Sequence, residues 1–188
     1  YVKRIRNHAS IGLYCGRNEG FPPETIDKAL RRIVKEEHGD LHYIPSSADD
    51  VVSGHGPYRM LPAKTYFTME AGNDKFHSER GMPNVMTYES FQRTFSPEGM
   101  WPQDNEWGVH DYTLQGAQGA TSFNEIIALG YGQPQNAKEF TELAQWVNYD
   151  GHRSMFESRS KNRMGLLMWM SHPCWPSMVW QTYDYYFE

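Results

Sequence analysis

The chain has 188 residues, of which 39% are hydrophobic and 22% are charged, an ordinary composition for a globular protein of one domain. Its formal net charge is −5, from 18 basic and 23 acidic residues, and no basic stripe occurs. This balance argues against nucleic acid or an anionic membrane as a partner, and no apolar run approaches the length of a membrane span. Cys15 and Cys174 lie outside any CxxC spacing, so they indicate neither a disulfide framework nor a zinc site.

The first predicted elements are a strand, a loop and a helix. Residues 10–15 alternate weakly and predict a buried strand, and residues 22–39 predict a helix that starts at two prolines and ends at a glycine. Glu19 therefore follows the carboxyl end of a strand, where α/β proteins usually place their chemistry. A solvated loop carboxylate is the alternative interpretation of Glu19 taken alone.

The middle of the chain repeats this pattern less regularly. Residues 41–47 predict a second strand, which Pro45 interrupts, and residues 48–64 predict a loop that is rich in glycine and proline. Residues 75–78 predict a third strand. Glu79 stands where this strand ends, so it has the same relation to its strand as the first glutamate.

The second half of the chain is mainly helical. Helices are predicted at residues 85–95, at residues 122–129 with Ser122 as the N-cap, and at residues 136–161. An apolar stripe supports the last helix and consists of Phe140, Leu143, Ala144, Val147, Met155 and Phe156. Residues 166–170 predict a final strand before an aromatic-rich tail. Alternating strands and helices without a linker predict one α/β unit with a mainly parallel sheet.

Glu19 and Glu79 are expected at the same rim of this sheet, in the polar clusters RNEG and HSERG. Two carboxylates about 5–5.5 Å apart are what retaining glycoside hydrolysis requires, since one protonates the leaving oxygen while the other attacks the anomeric carbon. The chain has 23 acidic residues, so accidental pairs are numerous and the pairing by itself has modest weight.

Three blocks in order, NHASIGLYCGRNEG, FHSERGMPN and GLLMWMSHPCWPSMVWQTYDYY, together resemble glycoside hydrolase family 2, in its branch of β-mannosidases and exo-β-glucosaminidases. The resemblance implies an α/β fold that is the carboxy-terminal part, about strands 4 to 8, of a TIM-type (β/α)8 barrel. Residues 1–188 would then form a partial glycoside hydrolase catalytic barrel domain. The expected parent is a longer multidomain chain, which adds the first half of the barrel and β-sandwich domains.

The same resemblance implies roles for five residues. Glu19 would be the acid/base, Glu79 the nucleophile, and Asn18 a hydrogen-bond partner of the sugar hydroxyl next to the anomeric carbon. Trp169, on the last strand, would form part of the wall of the sugar site, with simple core packing as the alternative. His55, in the familial stretch SGHGPY, would line a subsite, with a structural loop histidine as the alternative.

Two departures from the family pattern carry expectations of their own. Arg80 follows the second glutamate where an aromatic residue is more usual, so we expect its guanidinium to lower the pKa of the nucleophile or to reshape the subsite. The interval between the two glutamates is short for two strand units, so an irregular strand is expected within it.

The sequence thus predicts a retaining O-glycoside hydrolase acting on β-linked sugars, with a β-mannoside or β-glucosaminide as the expected substrate and no cofactor or metal. The expected partners are an oligosaccharide or glycoside substrate, the missing parts of the parent chain, and a second copy paired through exposed strand edges as a homodimer. Subsite residues of the missing strands are absent from the fragment, so the sequence leaves open whether the isolated fragment is active.

Other functions remain open at this stage. A β-galactosidase or β-glucuronidase would use the same catalytic pair, and a non-catalytic carbohydrate-binding module would use the many aromatic side chains. A metal-dependent α/β hydrolase is the third alternative, with His8, His42, His55 and His77 as its ligands.

Overall fold

The structure is a computed structural model that describes residues 1–49, 51–56, 58–68, 75–112, 122–158, 164–179 and 181–188. The elements in these ranges follow in the order α1 (Val2–Ile5), β1 (Leu13–Cys15), α2 (Glu24–His38), β2 (His42–Ile44), α3 (Ala63–Thr68), β3 (Phe76–Arg80), α4 (Tyr88–Thr94), α5 (Asn105–Val109), α6 (Ser122–Gly130), α7 (Ala137–Glu157) and β4 (Gly165–Met168). None of these helices is long and apolar enough to cross a membrane.

The strands form two parallel pairs. β1 pairs with β2 in the register Leu13 to His42, and α2 makes the connection between them, as parallel neighbours require. β3 pairs with β4 in the register Phe76 to Gly165, and the register shifts before Arg80 meets Met168. The predicted parallel pairing of strands is confirmed for these elements.

A short extended segment lies along the free edge of β3. Val52 forms a parallel bridge with Phe76, the Ser53 amide donates to the Phe76 carbonyl at 2.9 Å, and the Phe76 amide donates to the Val51 carbonyl at 3.1 Å. This segment stands between β2 and β3 in the chain, where the interval between the two glutamates predicts an irregular strand.

The hydrophobic core is centred on Trp107 of α5, which is fully buried. Its indole makes edge contacts with Tyr112, Phe91 and Phe140, at centroid distances of 5.0, 5.3 and 5.1 Å. The indole Nε1 donates to the Gly99 carbonyl at 3.1 Å, so the polar end of the ring is also satisfied. The helices α4, α5 and α7 are joined through this cluster of rings.

The long helix α7 begins as predicted, since the Asn136 side chain accepts a hydrogen bond from the Glu139 amide at 2.9 Å. It ends at Glu157, and residues 159–161 of the predicted helix lie outside the described residues. Most of the predicted apolar stripe is buried or partly buried, but Phe156 is 44% exposed, so its assignment to the core is wrong.

The ends of several elements differ from the sequence-based prediction. β1 has three residues, and only Tyr14 is buried, because alternate side chains of a strand point to opposite faces and its neighbours face solvent. α4 begins at Tyr88, where the Thr87 hydroxyl accepts from the Ser90 amide. Ser122 is the first residue of α6 and not its N-cap. The short helices α1, α3 and α5 have too few residues to show a period and were missed.

Trp107→Ala is expected to lower the free energy of unfolding by about 3–5 kcal/mol, because it removes a fully buried ring and leaves a cavity. Trp146→Ala is the matched control: Trp146 lies on α7 but is 60% exposed, so its replacement is expected to change this free energy by about 0.5 kcal/mol or less. Urea denaturation of both variants measures the difference, and equal losses would contradict the position of the core.

Candidate active site

A cavity of about 510 Å³ opens at the carboxyl ends of the strands. Four of the five predicted site residues line it: Asn18 and Glu19 after β1, Glu79 near the end of β3, and Trp169 after β4. The fifth, His55, is exposed and places its Nδ1 atom 3.8 Å from Glu19 Oε1. The structure therefore brings all five residues together at one rim, as the strand order predicts.

Tyr58 joins the two carboxylates. Its hydroxyl oxygen lies 2.7 Å from Glu79 Oε1 and 3.2 Å from Glu19 Oε1. Because these two distances add to 5.9 Å, the two carboxylate oxygens lie no farther apart than that. The Gly54 carbonyl is a third acceptor, at 3.2 Å from the same hydroxyl.

The surroundings of Tyr58 keep its hydroxyl protonated. Burial raises the pKa of Tyr58 well above its ordinary value of about 10, and the hydrogen bond to Glu79 and the negative charges of both glutamates raise it further. A neutral phenol is a hydrogen-bond donor. Tyr58 therefore supplies one proton to a place where two carboxylates converge.

Glu19 stands in an exposed turn with an uncommon backbone conformation. Its φ of 49° is left-handed, which costs a residue other than glycine roughly 1 kcal/mol or more. The Gly20 amide closes the turn onto the Asn18 carbonyl at 2.6 Å, and the Glu19 amide donates to Ser47 Oγ at 2.8 Å. The bond to Ser47 ties this turn to the residues that follow β2.

Glu79 is held differently, because it belongs to β3 and is half-buried. The next residue, Arg80, is almost fully buried, and its Nη1 atom lies 3.4 Å from His77 Nε2. The register of β3 shifts between His77 and Arg80, and Arg80 is not among the residues that line the cavity. The expectation that its guanidinium reshapes the subsite is therefore wrong.

The sequence-based prediction places Trp169 on the last strand. In the structure β4 ends at Met168, and Trp169 follows it directly. Its amide donates to the Arg80 carbonyl at 2.9 Å, and Gly81 packs so closely that a Cβ there would overlap the Trp169 carbonyl. The indole is 46% exposed and lines the cavity, so it is not a core side chain. The peptide bond between Trp169 and Met170 is cis.

Several residues of the cavity were missed by sequence reasoning, and three of them are polar or aromatic side chains of particular interest, Tyr58, Trp175 and Asp111. Tyr58 ends the stretch SGHGPY, so a search for proton donors within that stretch would have included it. Trp175 is 38% exposed in the cavity wall, in the aromatic tail that carries the family resemblance. Asp111 lies at a turn after α5 with a φ of 73°, in a segment whose sequence has no period to signal it.

The histidines do not converge. His8 and His42 are exposed, His77 is buried, and only His55 is at the cavity. In the described ranges no group of three or more His, Cys, Asp or Glu side chains has the arrangement to hold a metal ion.

No family model matches the chain. Among curated proteins, the chain is 26% identical over 98% of its length to a mannosylglycoprotein endo-β-mannosidase of Lilium longiflorum, and 23% identical over its full length to an exo-β-D-glucosaminidase of Amycolatopsis orientalis. These matches cover 24% and 20% of the two relatives. The chain thus spans about a quarter or less of the length of these relatives.

Solved structures give the same result for the fold. An exo-chitosanase of Amycolatopsis orientalis matches the whole chain with a TM-score of 0.85 and 23% identity, over 25% of its own chain. A β-D-mannosidase from Dictyoglomus thermophilum matches it with a TM-score of 0.71 and 23% identity, over 26% of its own chain. The relatives confirm the resemblance to glycoside hydrolase family 2, in its branch of β-mannosidases and exo-β-glucosaminidases, and the structures are consistent with a partial barrel.

The neutral state of Tyr58 is measurable by NMR of protein labelled at the tyrosine Cζ carbon. The Tyr58 resonance, assigned by its loss in Tyr58→Phe, is expected to keep its neutral position as the pH rises past 10. In Glu79→Gln its titration is expected at lower pH, because the negative charge of the acceptor is removed. Tyr43 is the internal control: burial and a hydrogen bond to Asp27 raise its pKa to about 12, independently of Glu79. A Tyr58 titration near pH 10 in the unmodified chain would contradict this geometry.

Proposed function

We propose that the protein is a retaining O-glycoside hydrolase that acts on β-linked sugars, a β-mannoside or a β-glucosaminide, through a double displacement by two carboxylates. The observation that carries the proposal is the pair formed by Glu19 and Glu79, whose nearest oxygens are within 5.9 Å of each other on either side of Tyr58. Retaining enzymes hold their carboxyl groups about 5–5.5 Å apart, whereas inverting enzymes need about 6.5–9.5 Å to admit a water molecule. The upper limit of 5.9 Å on the distance between the two carboxylate oxygens fits the retaining class.

In the proposed reaction Glu79 attacks the anomeric carbon while Glu19 donates its proton to the leaving oxygen. The bond from the anomeric carbon to the leaving group breaks, and a covalent glycosyl ester on Glu79 forms. Glu19, now a carboxylate, then takes a proton from a water molecule, whose oxygen attacks the anomeric carbon and releases Glu79. The two steps together return both carboxyl groups to their starting protonation states.

The surrounding residues have supporting roles in this proposal. Asn18 hydrogen-bonds the hydroxyl next to the anomeric carbon, and Trp169 supplies the ring surface on which the sugar lies. His55 contacts the substrate beside Glu19. Tyr58 donates to Glu79 and stabilises its negative charge between turnovers.

The proposal for the chain as a whole is that residues 1–188 form the carboxy-terminal part, about strands 4 to 8, of a (β/α)8 barrel in a longer protein. It is supported by the two parallel strand pairs, by the bridged segment between them, and by relatives about four times as long. The first half of the barrel and the β-sandwich domains are then the partners that complete the substrate site. For the isolated chain, pairing of exposed strand edges into a homodimer remains a prediction.

A sugar-binding module is the second candidate, favoured by the two exposed tryptophans, Trp169 and Trp175, in one cavity. Such a module needs the aromatic surface but has no need of two carboxylates around one phenol. Hydrolysis therefore separates the two functions, whereas sugar binding alone does not. A β-galactosidase or β-glucuronidase would share the catalytic pair and differs only in the sugar accepted.

A panel of nitrophenyl β-glycosides (mannoside, glucosaminide, galactoside and glucuronide) tests the activity of the complete protein. We expect release of nitrophenol from the mannoside or the glucosaminide, and Glu79→Gln is expected to abolish it by removing the nucleophile. Glu24→Gln is the matched control, since Glu24 is an exposed carboxylate at the start of α2 that pairs with Lys28 in its own helix. Sugar binding without hydrolysis by the unmodified protein would favour the binding module.

Glu19→Ala is expected to lower kcat/KM strongly for poor leaving groups and little for good ones, because only poor ones need a proton from the acid. For good leaving groups kcat is expected to fall instead, because hydrolysis of the glycosyl-enzyme has lost its general base. Azide is expected to restore turnover of a dinitrophenyl glycoside in this variant, since the small anion fits the space of the lost side chain and attacks the glycosyl-enzyme without a general base. Rates with and without azide on dinitrophenyl and methoxyphenyl glycosides measure both effects. Equal losses of kcat/KM on both substrates would contradict the role of Glu19 as the acid.

A further inference from the structure

One residue contacts the segments of both glutamates without touching either carboxylate. Ser47, just after β2, accepts a hydrogen bond from the Glu19 amide on its Oγ atom at 2.8 Å. Its own hydroxyl donates to Asn18 Oδ1 at 3.3 Å, and its amide donates to the Arg17 carbonyl at 3.0 Å. Three hydrogen bonds therefore join Ser47 to the turn that carries Glu19.

The other side of Ser47 faces β3. Ser78, the residue before Glu79, donates its hydroxyl to the Ser47 carbonyl. Gly54 packs into the same place, where a Cβ would collide with the Ser47 carbonyl and Ser78 Oγ. The side chain of Ser47 thus holds the first glutamate, while its backbone carbonyl holds the neighbour of the second.

We propose that Ser47 is a positioning residue that sets the distance between the two carboxylates. The inference rests on the proposed function and adds to it the part that holds the acid/base in place. The left-handed conformation of Glu19 needs a fixed partner for its amide, and Ser47 Oγ supplies it. Without that acceptor, the turn is free to relax and to carry the acid/base away from the leaving oxygen.

The kinetic test compares three variants of the complete protein. Ser47→Ala removes the acceptor but leaves the backbone carbonyl, so kcat/KM for a methoxyphenyl glycoside is expected to fall about tenfold to a hundredfold, and for a dinitrophenyl glycoside much less. Ser47→Thr keeps a hydroxyl and is expected to restore most of the loss. Ser46→Ala is the matched control: the Ser46 residue is buried, and its hydroxyl accepts from the Ala48 amide and not from the turn that carries Glu19. The proposal would be overturned if the ratio of kcat/KM for the two glycosides were the same in Ser47→Ala as in the unmodified protein.

A second measurement requires no activity. Amide hydrogen exchange at Glu19 is expected to be faster in Ser47→Ala than in the unmodified chain, while the Gly16 amide, which donates to the Ile44 carbonyl at 2.9 Å, keeps its rate. If the rate of amide hydrogen exchange at Glu19 were unchanged in Ser47→Ala, the positioning role of Ser47 would be refuted even if the enzyme is active. Conversely, a protein that hydrolyses no glycoside but shows this local effect would refute the proposed function and leave the anchoring role of Ser47 supported.

Discussion

The site depends on one proton that is shared among three acceptors. The Tyr58 hydroxyl has a single hydrogen to donate. Its oxygen lies within 3.2 Å of three acceptors, which are oxygens of Glu79, Glu19 and Gly54. Two carboxylates this close repel each other when both are ionised, and a neutral donor between them reduces that cost. The shortest of these contacts is with Glu79, at 2.7 Å. The phenol is therefore bound more closely to the carboxylate on the strand than to the one in the exposed turn.

Periodic elements of the fold were predictable, and irregular ones were not. The helix that became α2 carries apolar residues on one face between clear end signals, and its observed bounds, Glu24–His38, match the prediction closely. The short helices α3 and α5 have too few residues to show a period. The burial of β1 was overestimated because an apolar run in the sequence does not reveal whether anything packs on both faces of the strand.

The same distinction applies to the site. Glu19 and Glu79 were predictable because both follow or end a strand, and parallel strands bring such positions to one rim. Tyr58 was missed because it belongs to a loop whose path no local pattern encodes, and only the folded chain shows that its hydroxyl reaches both carboxylates. Arg80 was misjudged because the sequence places it next to Glu79, whereas the structure buries it beside His77, where the register of β3 shifts.

The two carboxylates are supported by different kinds of structure, and the proposed reaction gives a reason for the difference. Glu79 belongs to β3, where His77 and Arg80 on either side of it pair with β4, and a carboxylate that forms a covalent bond to one atom benefits from a fixed position. Glu19 lies in an exposed turn that is held mainly through Ser47. An acid/base must serve first the leaving oxygen and then a water molecule, which occupy different places over the reaction. A carboxylate on an anchored turn can make that adjustment, whereas one within a strand cannot do so without breaking the ladder.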